Sequence, residues 1–387
     1  MSNTIWVARH HWTVNVIYAI MASKAKMRFH FRSGVKVWLN NFQLMQTKYL
    51  RPKHIGIFIA LAVLLLAVLW GCSKKPEPTV MQPLNKVTIG IQVSPAMTLV
   101  MVAKDKGFFS KEGLDVELKQ FTAGKFALQA FLSRSIDFAV SGEVPVGLAS
   151  LQGNQIRIIS QVVSSTTNEV RVVALKDGNI TNPQDYFKAK KRKIATSFGG
   201  GPEFYTYNFL QKNQIEKNQV EIVSQSPADM PAALVTGSVD AISIFDPFAF
   251  IAEKKLGDKA VTFADPTLYS ELYVLCALPD QVAKQPQIIE ALVKALAGAS
   301  DFIQNNPAES KAIMHQYTKL DSDVIDGIWK SYSFQPALGQ NLLDDLNAEA
   351  AWAKDTGKIT PDTKIPDYRQ VVDDSFLKSV KPDAVKL

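Results

Sequence analysis

From Lys86 onward the chain alternates short apolar runs of period two with longer runs of helical period, and this rhythm restricts it to an α/β architecture. Residues 87–93, 114–121, 137–141, 156–163 and 169–175 read as strands, with helices expected over 96–106, 125–133 and 145–152. The pattern then restarts. Strands at 193–198, 220–225, 240–246, 260–265 and 271–278 are interleaved with helices at 202–211, 227–236 and 247–255. Beyond Pro279 the pattern is helical, notably over 288–305, 322–331 and 342–355. Two βαβ lobes followed by a helical tail is the simplest partition. The roughly 300 residues after Lys86 are enough for two cores of ordinary domain size.

The segment before this rhythm is of another kind. Lys48, Arg51 and Lys53 precede an uninterrupted apolar run of fifteen residues at 55–69, closed by Gly71 and Cys72. That length is short of the roughly 20 residues a membrane-spanning helix needs, and it suits the core of an export signal. Leu69-Trp70-Gly71-Cys72 resembles the lipobox of bacterial lipoproteins, which implies cleavage before Cys72 and lipidation of that cysteine; a retained signal anchor is the alternative. Residues 45–71 are therefore expected to be a signal peptide and 72–86, polar and punctuated by Pro76, Pro78 and Pro83, an extended tether. Residues 1–44 carry neither heptads nor a clean amphipathic period, so they are expected to lie outside the fold as an upstream extension, with Met45 as the start of the functional product and Met27 as the second choice.

Charge follows the same division. Residues 1–72 carry nine of the 43 Lys and Arg and none of the 36 Asp and Glu, so the remainder, with 34 basic and 36 acidic residues, has a net charge of −2. No basic excess is left to attract nucleic acid. Four of the five histidines (His10, His11, His30, His54) lie in the leader, and His315 is left with Cys276. One histidine and one cysteine make neither a zinc site of ordinary type nor a disulfide, so no metal and no cofactor is expected. Cys276, inside an apolar run, reads as a buried inert thiol.

The stretch Lys106-Gly107-Phe108-Phe109-Ser110-Lys111-Glu112-Gly113-Leu114-Asp115-Val116-Glu117 resembles the nitrate, sulfonate and taurine family of ABC-transporter substrate-binding proteins, which includes binders of thiamine-precursor pyrimidines. The resemblance continues at Arg134 to Pro145 and at Thr236-Gly237-Ser238-Val239-Asp240-Ala241. At Phe245-Asp246-Pro247-Phe248 an aspartate stands where the family usually has a glutamate. It implies a two-lobed periplasmic-binding-protein-like fold of type II, each lobe a βαβ sheet, with a ligand cleft between the lobes and a helical C-terminal tail. Lobe 1 would comprise 87–176 with 270–387 and lobe 2 would comprise 177–269, the chain crossing near 174–177 and returning near 269–277. The implied partners are a small-molecule ligand, an ABC permease and the membrane through the lipid anchor, for an exported monomer.

Ligands in open α/β sheets bind beyond the carboxyl ends of strands, where helix N-termini offer free N–H groups. That rule selects Ser94, Pro95, Ser141, Gly142, Glu143, Ser197, Phe198, Gly199, Gly200, Phe204, Asp246 and Phe248 as candidate ligand-binding residues. The aromatics would form apolar walls and the small residues would let backbone approach the ligand. The expected ligand is of sulfonate, nitrate or taurine type, which helix N-termini suit; the alternative is an aminopyrimidine, which Glu143, Glu203 and Asp246 would suit. Gly199-Gly200-Gly201 lacks the Lys and Ser/Thr of a phosphate-binding loop. The basic run Lys188 to Lys193 reads as a solvated helix end or loop. A pyrimidine-synthase-like enzyme and a sensor subunit remain alternatives to transport, although such synthases use a cysteine-rich motif that the segment after Cys72 lacks, and its one histidine, His315, falls in the helical tail.

Overall fold

A computed structural model of the chain describes residues 84–165 and 169–387; the expected signal peptide, Cys72 and the tether as far as residue 83 lie outside them. The first strand, β1 (Asn85–Gln92), leads through a 3-10 turn into α1 (Thr98–Asp105) and α2 (Phe108–Lys111). Then come β2 (Leu114–Phe121), α3 (Gly124–Leu132), β3 (Phe138–Gly142), α4 (Glu143–Leu151) and β4 (Arg157–Ser165). The second set comprises β5 (Arg171–Leu175), α5 (Pro183–Ala189), β6 (Arg192–Thr196), α6 (Gly201–Lys212), β7 (Val220–Ser224), α7 (Met230–Val235), β8 (Ala241–Ile244), α8 (Phe248–Leu256) and β9 (Ala260–Phe263). The chain returns as β10 (Leu272–Ala277), then α9 (Pro279–Lys284), α10 (Pro286–Asn305), α11 (Pro307–Thr318), α12 (Ser322–Ile328), β11 (Tyr332–Ser333) and α13 (Gln340–Asp355).

These elements build two sheets, one of six strands in the order β11-β4-β10-β3-β1-β2 and one of five in the order β7-β6-β8-β5-β9. Each has a parallel core (β2, β1 and β3; β7, β6 and β8) continued by antiparallel strands. Strand β10, buried along its whole length, lies between β3 and β4 and is antiparallel to both. Its six apolar or aromatic residues fit a site with no solvent face. At the rim, β2 alternates instead: Leu114 and Val116 are buried, Asp115 and Glu117 exposed.

The 106–117 stretch works as a turn device. Gly107 (φ +70) and Gly113 (φ +78) take the left-handed conformation that glycine adopts without penalty, ending α1 and turning the chain into β2. Between them Phe109 is buried and Phe108 packs edge-on to Phe302 of α10 with ring centroids 6.1 Å apart.

Three expectations change. Strand β5 pairs with β8 and β9, so the passage between the sheets falls before Arg171 rather than near 174–177. The tail is not purely helical: β11 adds an edge strand against β4, because Tyr332 and Ser333 lie extended and open their backbone to that neighbour. The basic run is not wholly solvated either. Arg192 opens β6 buried, held by Asp177 and Asp240.

Candidate functional site

The parallel strands of both sheets deliver their carboxyl ends to a zone where Ser165, at the end of β4, is bonded to Ser270 and Glu271, just ahead of β10. Ser165 N donates to Glu271 O at 2.9 Å, and Ser270 Oγ donates to Ser165 O at 2.8 Å.

On the first-sheet side Gln92, last in β1, accepts from Gly124 N at 2.9 Å, donates to Ser94 Oγ at 2.8 Å and reaches Tyr273 Oη at 3.3 Å. Ser94 is thereby placed, and Pro95 opens the following turn, buried. Ser141, fully buried near the end of β3, has an Oγ without a hydrogen-bond partner and lies against Gly124 at the start of α3. Glu143 follows Gly142 as the first residue of α4 and is fully buried; it accepts from Leu272 N at 2.8 Å and from the Tyr269 hydroxyl. Burial, and then the charge of Glu271, push its pKa well above the ordinary glutamate value, with Tyr269 opposing.

From the second sheet, Ser197 and Gly199 to Gly200 lead from β6 into α6, where Gly199 N donates to Glu203 Oε2 at 2.7 Å. Phe204 packs edge-on to Tyr269 (5.6 Å) and against Trp352 (5.4 Å). Gly201 lies so close to the Tyr269 ring that a Cβ there would sit 2.7 Å from Cε1. Phe198, 38% exposed, lies at the rim, where its carbonyl accepts from Lys125 Nζ at 2.8 Å. Asp246 pairs with Arg171 Nη1 at 3.0 Å and accepts from Phe250 N at 3.1 Å. Burial raises its pKa and Arg171 opposes. Phe248 is half-buried against Phe245 at 5.8 Å.

Glu143 and Asp246 thus have their valences met within the protein. Two acids not selected from sequence do not. Glu169 is 1% exposed and Glu271 5% exposed; no donor meets either Glu169 oxygen or Glu271 Oε2 in good hydrogen-bond geometry, and the side chains acting on them are the Tyr332 and Tyr273 hydroxyls. Burial, then Glu271 and Asp246, push Glu169 well above the ordinary range, while the Tyr332 hydroxyl lowers it. Burial raises Glu271 to about 8, with Tyr273 opposing. Tyr273 and Tyr332 are themselves pushed well above 10, first by burial and then by Glu169, so both stay neutral hydroxyls. Glu349 on α13 is also buried, with both oxygens unbonded, against the backbone of Gly147. The sequence signal for the first two is visible afterwards: each is an acid heading an apolar strand, Glu169 before β5 and Glu271 before β10.

No group of residues suited to a metal ion occurs among the described residues. Cys276 is buried in β10, its thiol pushed up to about 12 by desolvation, and His315 Nδ1 lies 2.6 Å from Leu320 O in the tail.

Comparison with known proteins follows this geometry. A Bacillus subtilis protein named as an aliphatic sulfonates-binding protein is 25% identical over 335 residues, 84% of this chain and 96% of its own length. The structure of the alkanesulfonate-binding protein SsuA from Xanthomonas axonopodis pv. citri, bound to MOPS, matches with a TM-score of 0.63 at 19% identity, over 75% of this chain and 98% of that one. The periplasmic nitrate-binding protein NrtA from Synechocystis PCC 6803 also gives 0.63, at 15% identity, over 78% of this chain and 89% of that one. At such identities the structures establish a shared periplasmic-binding-protein fold. The family model described as NMT1/THI5 like matches residues 94–310, more than half of the sequence, and the chain belongs to that family.

Proposed function

We propose that this protein captures a small solute between its two lobes and delivers it to the permease of an ATP-driven importer, binding without chemistry. The observation that carries the reading is the convergence of buried polar groups from both sheets, with open valences at Ser141, Glu169 and Glu271, on the two passages that join the lobes. Membership of the family and the sulfonate- and nitrate-binding names of its relatives support it. On this reading lobe 2 lies between the two passages, and the selected residues from Ser94 to Phe248 line or frame the cleft. The molecule works as an exported monomer, tethered through lipid on Cys72. A tether of that kind raises the receptor's effective concentration at the permease.

Sulfonate, taurine or nitrate is the ligand type the relatives' names point to, and an aminopyrimidine is the second reading, favoured by the buried carboxylates. A thermal-shift screen with alkanesulfonates, taurine, nitrate and aminopyrimidines tests the function itself. A ligand at a hundredfold excess over its Kd should raise stability by about 2.7 kcal/mol. The absence of a shift with every class would refute solute binding.

A further inference from the structure

Resting on the solute-binding reading, we infer that the cleft takes a ligand bearing a nitrogen cation, an ammonium or amidinium, seated between Glu169 and Glu271.

Charge balance comes first. Glu143, Glu169, Asp246, Glu271 and Glu349 are all buried, whereas the buried bases among the described residues are Arg171 and Arg192. Arg192 is engaged at the start of β6 by Asp177 and Asp240, and Arg171 by Asp246 and Glu253, the latter at 2.7 Å. Neither leaves a cation for the glutamates on the two passages. Buried carboxylates without compensation are strongly disfavoured, so the site either keeps them protonated or receives positive charge from outside.

Hydrogen-bond supply points the same way. Glu169 and Glu271 each have one neutral hydroxyl acting on them as a side-chain hydrogen-bond partner, Tyr332 and Tyr273 respectively, the latter also joined to Gln92, and a carboxylate has acceptor capacity beyond a single hydroxyl. An independent open valence, the fully buried Ser141 Oγ, lies against Gly124, whose N–H is bonded to Gln92 Oε1. The carboxyl oxygens can only accept when ionised and the hydroxyls can do either, so this set suits an N–H-rich group. A sulfonate or nitrate in the same place would add a further negative charge and bring no hydrogen to donate. Because the two glutamates sit on opposite passages, a cation between them would touch both connections at once.

The test is calorimetric titration of the full chain with benzamidine, n-butylammonium and butanesulfonate, the last two sharing a tail and differing in the sign of the head. Benzamidine or n-butylammonium should bind the parent, and its Kd should rise at least about tenfold in Glu169→Gln and in Glu271→Gln, since each loses a charged hydrogen bond. Glu117→Gln on exposed β2 should leave it unchanged. Butanesulfonate binding without binding of either cation overturns the inference and leaves the solute-binding reading standing; failure of all three probes and of the wider solute screen overturns both. Unchanged cation affinity in both glutamine variants also overturns it.

Where a variant does not fold, the parent supplies the measurement. Cation affinity should fall as pH is lowered from about 9 to about 6, because protonated carboxyls lose their charge. Asp246, Arg171, Glu143, Glu349, Tyr269, Tyr273 and Tyr332 act on the same site; Arg171 keeps its charge, the phenols stay neutral over this range, and Glu143 and Glu349, also raised by burial, change in the same direction as Glu169 and Glu271. A cation affinity that does not change with pH overturns the inference as well.

Discussion

Gly201 and Tyr269 show how closely single residues are fitted at the cleft. The Tyr269 ring occupies the space a side chain at 201 would need, and its hydroxyl donates to Glu143. Gly201→Ala should therefore push the ring off its partner and cost about 1–3 kcal/mol in denaturant unfolding, the usual penalty for overpacking. Glu271 carries a different expectation. In the unliganded protein it holds its proton up to about 8, whereas in an unfolded chain it loses it near 4.5. Between those values the folded state binds more protons, so stability should fall as pH rises, by up to about 1.4 kcal/mol per unit for this group. Glu271→Gln should flatten that part of the profile; an equal slope in the variant would show that other groups produce it. At this scale the sequence located the strand ends but not the division of labour among the acids. Glu143 and Asp246 stand at strand ends and drew notice, yet their partners, Leu272 N and Arg171, come from distant chain segments that no local pattern reveals. Glu169 and Glu271 looked like the polar first residues of strands.

Among the elements, those whose conformation is set locally were legible. Gly107 and Gly113 fix the α1-to-β2 turn by backbone geometry, and strand β2 was read to its residue limits, 114–121, because apolar and charged residues alternate from Leu114 to Lys119. Elements defined by a partner were not. The two-residue β11 exists only through β4, and Arg192 is buried only because Asp177 and Asp240 meet it. The contact between α6 and the segment after α13 likewise depends on distant sequence. Lys358 Nζ lies 2.7 Å from Glu203 Oε1, above the Trp352 ring at 5.0 Å and within 5.9 Å of Phe198, so one ammonium ties α6 to the tail. Both partners are partly screened from water, and Lys358→Ala should lower stability by about 1 kcal/mol. Small-angle scattering should show the variant shifted toward an open, larger form when no ligand is present.

For the molecule as a whole, export and anchoring make separate predictions. Mass spectrometry of membrane-extracted protein should find an acylated Cys72 at the mature N-terminus, and Cys72→Ser should release the protein without unfolding it. A peptide from residues 2–31 in that material would contradict a start at Met45. Cys276, by contrast, should resist thiol reagents until the fold is denatured, since burial keeps it protonated and inaccessible. The central place of β10 has a consequence in time. The second sheet runs without interruption from Arg171 to Phe263 and is complete when that stretch has emerged from whatever makes or moves the chain. The first cannot close until residue 277 has followed, because until then β3 and β4 have no strand between them. Of the two sheets, the one whose strands begin first is thus finished last, staying open while its neighbour can already form.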